Sequence, residues 1–106
     1  LEMPMPLINN LNPPIWHTAG YVFGWDYVQK KLKIILEKNK PFFYLIHPAD
    51  FLDQNDLDNK YTLALERMDK SYESKIENLE NMLKFIVSHG YKGVKLIEIA
   101  NLYRNQ

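Results

Sequence analysis

His47 is the residue whose sequence context best suits it to chemistry. It follows the apolar run of residues 42–46 and directly precedes Pro48. Such a run predicts a strand buried on both faces, and in parallel α/β folds the chemistry gathers at the carboxyl ends of strands. An imidazole at that edge is a candidate acid or base. The structural alternative is that the His47 ring only caps the strand by bonding to a nearby carbonyl group.

The other two histidines have weaker claims. His17 lies between Trp16 and Thr18, where it either lines the same crevice or packs against Trp16. His89 directly precedes Gly90, at the predicted end of a helix where a cation suits the helix dipole. His89 is therefore given no catalytic role.

Several aspartates follow His47, at positions 50, 53, 56 and 58. Their spacing invites comparison with a calcium loop, but the glycine turn and the closing glutamate of an EF-hand are missing. The predicted structure is a solvated polar loop over residues 48–59. A connection of that length at the end of a strand is more often functional than idle.

Helical periodicity marks two amphipathic segments. The first runs from about Phe23 to Asn39, and its apolar stripe is Val28, Leu32, Ile35 and Leu36. The second begins after Asp69 or Ser71, which can cap it, and stops at Gly90. Its predicted stripe is Tyr72, Ile76, Leu79, Leu83 and Ile86.

Short strands are predicted over residues 1–6, 42–46 and around Val94, and a last helix over residues 97–103 with Ile99, Ala100 and Tyr103 inward. Strands separated by whole helices run parallel, with their carboxyl ends on one edge of the sheet. We therefore expect an α/β fold in which parallel strands alternate with helices and His47 lies on that edge.

Composition narrows the function classes. The chain has 106 residues, with 13 basic and 13 acidic side chains, so no net charge favours a nucleic-acid backbone. No apolar run approaches the ~18 residues of a membrane helix, so no membrane span is expected. The absence of cysteine is compatible with the cytoplasm or the cell envelope, and the compartment stays open.

Residues 43–51, Phe-Tyr-Leu-Ile-His-Pro-Ala-Asp-Phe, resemble the last conserved motif of polysaccharide deacetylases, the nodulation-protein B-like carbohydrate esterases. In that motif a strand ends in Leu-x-His and often continues with Pro. Glu2-Met3-Pro4 is similar to an earlier strand in one branch of the family. Gly20-Tyr21 before a helix, and Gly90 followed by residues 96–100, are similar to the family's carboxyl-terminal layout.

The resemblance implies that residues 1–106 form the carboxyl-terminal portion of one deacetylase domain, the last part of a distorted (β/α)7 barrel. The substrate would be an N-acetylated oligo- or polysaccharide. A divalent metal, usually zinc, is held in the family by early motifs that this chain lacks, so its ligands are expected in the missing amino-terminal part of the domain. The 106 residues alone are then expected to be inactive.

By the same resemblance, His47 is the general acid that protonates the departing amine. The implied substrate contacts come from Leu45, Trp16, Tyr21 and Asp50. Many relatives continue His-Pro with Trp-Glu, whereas this chain has Ala49-Asp50, so an aromatic wall for a sugar ring is either lost or supplied by Trp16, Trp25 or Tyr21. The alternative hypothesis is a non-catalytic α/β domain used for interaction or scaffolding, in which His47 is structural.

Overall fold

The chain folds as a series of helices joined by irregular segments. We obtained the structure as a computed structural model, which describes residue 8, residues 14–56 and residues 67–106. Within these ranges the helices are α1 (Ala19–Phe23), α2 (Trp25–Leu36), α3 (Tyr72–Ser88) and α4 (Leu96–Arg104). A 3₁₀ turn, Pro48–Phe51, lies between α2 and α3. None of the described helices combines the length and the apolar character needed to cross a membrane.

Helix α2 buries the apolar stripe that its sequence predicts. Its buried residues are Val28, Leu32, Ile35 and Leu36. The helix is shorter than predicted, because Gly24 adopts a positive φ of 90° and separates it from α1. At the other end the helix stops at Leu36, and Asn39 lies beyond it with a φ of 51°. The stripe prediction is confirmed, whereas the predicted bounds were too wide.

Helix α3 begins and ends as predicted but presents a different face to the core. Ser71 caps it by accepting a hydrogen bond from the Ser74 amide at 3.2 Å, and Gly90 follows with a φ of 86°. The buried residues of α3 are Lys75 and Met82, two turns apart, whereas Tyr72 and Leu83 of the predicted stripe are exposed. The predicted stripe was wrong at Tyr72 and Leu83, because the buried face of α3 is centred on Lys75 and Met82, and Leu83 lies about 100° around the helix from Met82. Lys75 can lie on that face because a lysine buries its apolar stem.

The predicted α/β fold class, with parallel strands as the last part of a distorted (β/α)7 barrel, is contradicted. No strand occurs in residue 8, residues 14–56 or residues 67–106. Residues 42–46 are half-buried and irregular, and Val94 is exposed in a segment without regular structure. The predicted strand over residues 1–6 lies outside the described residues.

Strand formation failed for a physical reason. An apolar run specifies burial, but a strand also needs a neighbour that satisfies its backbone groups. Among the described residues, the backbone bond to this run is the amide of His17 donating to the Leu45 carbonyl at 3.0 Å. Within the part of the chain that the structure describes, residues 42–46 therefore join no sheet, and Phe42 and Tyr44 pack against the core cluster.

Three elements surround the apolar core, and α4 contributes least to it. The core cluster is Ile15, Ala19, Val28, Ile35 and Met82. Helix α2 packs against α1 and α3, and α3 also contacts the 3₁₀ turn. Helix α4 covers residues 96–104 as predicted to within one residue, but none of its residues is buried and Tyr103 is about half exposed. The predicted inward position of Tyr103 was wrong.

Gly20 provides a test of the packing between α1 and α2. A Cβ atom at Gly20 would lie 2.1 Å from the Trp25 ring. Gly20→Ala should therefore lower the free energy of unfolding by about 1–3 kcal/mol despite alanine's better helix propensity. Gly93→Ala is the matched control, since a Cβ there meets nothing within 4 Å. Urea unfolding of both variants decides the matter, and an equal effect of the two would contradict the close packing of Trp25.

Candidate functional site

A tight turn carries His47 and Asp50 at the end of the irregular run. The Asp50 amide donates to the His47 carbonyl at 3.0 Å, and the His47 amide donates to Asp50 Oδ2 at 2.8 Å. Pro48 occupies the first position of the 3₁₀ turn, where its missing N–H leaves no donor unsatisfied. The reciprocal bonds point the Asp50 carboxylate inward and leave the His47 ring at the surface.

The Asp50 carboxylate is fully buried and is bonded through both of its oxygens. Thr18 donates its hydroxyl to Asp50 Oδ1 at 2.6 Å, while Oδ2 accepts from the His47 amide. The Asp50 main-chain carbonyl accepts from the Tyr21 hydroxyl at 2.9 Å. Since a buried carboxylate is costly without such partners, these bonds fix the turn against the amino-terminal side of α1.

The His47 side chain is about half exposed, at 51%, and lies beside this carboxylate. Its Nδ1 is 3.9 Å from Asp50 Oδ2, too long for a hydrogen bond but close enough for an ion pair when the imidazole is protonated. Nδ1 is the ring nitrogen that faces Asp50.

His17 lies behind the turn, enclosed by aromatic rings. It is fully buried and contacts the rings of Tyr21, Trp25, Tyr44 and Phe51, with centroids 4.8–5.9 Å away. Its Nδ1 is 3.0 Å from the Tyr44 hydroxyl, and its Nε2 is buried without a partner among the described residues. His17 is thus enclosed in the interior, and Trp16, the packing partner considered from sequence, is not among these four rings.

Burial shifts the titration of the groups in this enclosure. Loss of solvent lowers the pKa of His17 from 6.5 to about 4, although the negative charge of Asp50 opposes the shift. Burial, reinforced by the Asp50 charge, raises the pKa values of Tyr21 and Tyr44. All three side chains are therefore neutral near pH 7, so Asp50 is surrounded by neutral polar and aromatic groups on this side.

The structure brings several of the predicted site residues together. Tyr21 lies beside Asp50, with its hydroxyl bonded to the main-chain carbonyl of Asp50. Leu45 is half-buried, and its carbonyl accepts from the His17 amide. Trp16 is also half-buried and packs against the core cluster.

The remaining candidates lie apart from this site. Asp53 and Asp56 form a local turn in which the Asp53 amide donates to Asp56 Oδ2 at 2.8 Å, and Asp58 lies outside the described residues. His89 stays at the end of α3, with Nδ1 2.8 Å from the Phe85 carbonyl oxygen. Among the residues that the structure describes, no group of three histidine or carboxylate side chains could hold a metal ion.

Sequence reasoning missed the roles of Thr18, Tyr44 and Lys75. Thr18 and Tyr44 bond to residues 32 and 27 positions away, and neither has a local pattern that reveals such a partner. Lys75 donates to the Leu52 carbonyl from α3. Its position seven residues before Met82 places both on one helix face, and this spacing was a signal that could have been used.

Comparison with protein-family models, curated proteins and solved structures finds no match for this chain.

The bond from Thr18 to Asp50 can be tested by substitution. Thr18→Val removes the hydroxyl at nearly constant volume and leaves Asp50 Oδ1 buried without that donor, so we expect the free energy of unfolding to fall by about 1–3 kcal/mol. Thr18→Ser keeps the hydroxyl and should retain most of the stability. Urea unfolding at pH 7 compares the two, and equal losses would mean that the methyl group matters more than the bond.

Burial of His17 predicts a pH dependence of stability. The folded state holds its proton with a pKa of about 4 and the unfolded state with one of 6.5. Because the unfolded state binds the proton more tightly, the free energy of unfolding is unaffected by His17 above pH 6.5. It falls by about 3 kcal/mol as the pH drops from 6.5 towards 4. Relative to wild type, His17→Phe should gain that amount between pH 7 and pH 4. Urea unfolding across this range measures the difference, which would be independent of pH if His17 were not buried in its neutral form.

Proposed function

We propose that this chain is the carboxyl-terminal part of a hydrolase that removes N-acetyl or related acyl groups from a carbohydrate, with His47 as general acid. The observation that carries the proposal is the half-exposed imidazole of His47 held 3.9 Å from the buried Asp50 carboxylate. An imidazole in such a place can be charged, oriented and still reach a ligand. Those are the requirements for a group that protonates a leaving amine.

In the proposed step, water has already added to the acyl carbon, and His47 donates the proton on Nε2 to the nitrogen of this tetrahedral adduct as the carbon–nitrogen bond breaks and the acyl group leaves as the carboxylic acid. The bonding electrons stay with the nitrogen, which leaves as a neutral amine, and the imidazole becomes neutral. Asp50 forms an ion pair with the imidazolium before the transfer, with Nδ1 facing its carboxylate. With Nδ1 on the side of Asp50, Nε2 is the nitrogen proposed to face the substrate.

Asp50 serves His47 in this proposal, although the resemblance implies a substrate contact for it. Its two carboxylate oxygens already accept hydrogen bonds from the Thr18 hydroxyl and the His47 amide. The second of these bonds holds the main chain of the residue that carries the imidazole. Asp50 is thus proposed as a positioning residue.

The choice of substrate rests on the likeness of residues 43–51 to the deacetylase motif. An aromatic ring near the turn would suit the apolar face of a sugar, and Tyr21 is the candidate whose ring lies beside the turn. Leu45 and Trp16 are proposed as further contacts. The divalent metal would supply activated water in such an enzyme, and its ligands are proposed to come from outside the described residues.

A non-catalytic interaction domain is the second candidate. The observation that favours it is the exposed apolar surface of α4, where Leu96, Ile97 and Leu102 are each more than half exposed. Large exposed apolar patches often mark binding surfaces. In this case His47 would cap the turn and would have no reactive role.

The proposed acid is tested by His47→Ala in the full-length protein, assayed with zinc or cobalt and an N-acetylated oligosaccharide. We expect kcat to fall by about 10²–10⁴, with KM and metal content nearly unchanged, because the acid acts on the transition state. His89→Ala is the matched control, since His89 bonds within α3, away from the turn.

Melting temperatures measured on the same preparations separate catalysis from stability. If His47 is only structural, the variant loses thermal stability and active enzyme together, while turnover per folded molecule stays near normal. Unimpaired hydrolysis by a folded, metal-loaded His47→Ala enzyme would remove His47 from the catalytic role.

A further inference from the structure

Lys75 is a fully buried lysine that contacts the proposed site from α3. It lies in the first turn of α3, and its relative exposure is 0%. Its amine donates a hydrogen bond to the Leu52 carbonyl, directly after the 3₁₀ turn that carries Asp50. The amine therefore reaches from α3 to the end of the His47 turn.

The same amine also lies over the ring of Tyr21, with Nζ 5.1 Å from the ring centre. This distance is within the range of cation–π attraction. The Tyr21 hydroxyl in turn donates to the Asp50 carbonyl at 2.9 Å. Lys75 and Tyr21 together thus hold two carbonyl groups of one turn, those of Asp50 and Leu52, from two different helices.

A buried ammonium group is a costly way to fill this position. Burying an ammonium group costs several kcal/mol, and replacement of buried charges by apolar residues of similar volume is often neutral or stabilising. Methionine has a similar length and no such cost. A lysine here therefore points to a geometric requirement at the group that it binds.

We propose that Lys75 is a positioning residue, which ties α3 to the 47–52 turn and thereby sets the location of the His47 imidazole. The Lys75 amine acts on the turn in two ways: it binds the Leu52 carbonyl directly, and it contacts Tyr21, which binds the Asp50 carbonyl. The Asp50 carboxylate in turn accepts from the His47 amide. The part of this proposal that concerns turnover rests on the proposed function. The part that concerns the turn does not.

The first measurement is the hydrogen-exchange rate of the His47 amide, which reports on the turn and needs no activity assay. Lys75→Met should speed hydrogen exchange of the His47 amide by about fivefold or more, the factor expected when one typical hydrogen bond is lost. Lys84→Met is the matched control on α3, because Lys84 is 77% exposed and its ion-pair partner is Glu80. Global stability from urea unfolding is measured on each variant in the full-length protein.

The second measurement is kcat and KM for hydrolysis of an N-acetylated oligosaccharide. Lys75→Met should lower kcat by about tenfold or more at nearly constant KM, since a misplacement on the order of 1 Å can cost 10² in rate. Lys84→Met should leave kcat unchanged. A purely structural role predicts instead a loss of folded protein with normal turnover per folded molecule.

The outcomes separate this proposal from the proposed function. If the wild-type protein hydrolyses no acylated carbohydrate, the proposed function fails, and the exchange rate of the His47 amide still decides whether Lys75 holds the turn. Unchanged exchange in a folded Lys75→Met protein overturns the proposal, as does faster exchange with unchanged kcat in an active enzyme. If Lys75→Met does not fold, Lys75→Gln is measured instead, because its amide is too short to reach Leu52. If neither variant folds, Lys75 serves global stability, and the proposal that it positions His47 is overturned.

Discussion

The buried carboxylate of Asp50 is the constraint on which the site depends. A carboxylate removed from water must find donors inside the protein, and Asp50 finds them in the Thr18 hydroxyl and the His47 amide. The first donor comes from the residue preceding α1 and the second from the turn itself. The hydrogen bonds to the Asp50 carboxylate therefore join the start of α1 to the 3₁₀ turn and fix the position of His47.

The surroundings of Asp50 are polar but largely uncharged, and this makes the carboxylate the main source of negative charge at the turn. Burial keeps His17 neutral near pH 7 and keeps Tyr21 and Tyr44 protonated. Lys75 brings a buried cation to the other side of the turn, through the Leu52 carbonyl. The half-exposed ring of His47 lies beside this carboxylate, with its Nδ1 3.9 Å from Asp50 Oδ2.

The buried stripe of α2 and the ends of α3 were predicted correctly because periodicity and capping depend on interactions within one element. The stripe of α2 and the Ser71 cap and Gly90 stop of α3 were all readable from residue types and spacing. The run over residues 42–46 was readable only as a segment to be buried, since strand pairing requires a partner whose presence no local pattern reveals. The α/β interpretation failed at that point.

The sequence by itself determined the position and the buried face of α2 and the two ends of α3. It also identified His47, with Asp50 three residues beyond it, as the candidate site. Tertiary structure alone decided that Asp50 is enclosed and bonded to Thr18, that His17 lies in an aromatic enclosure with Tyr44, and that Lys75 is buried against Leu52. The physical reason is the range of the interactions. Helix periodicity and caps act over a few residues, whereas the satisfaction of a buried charge depends on which distant donors the fold brings within about 3 Å.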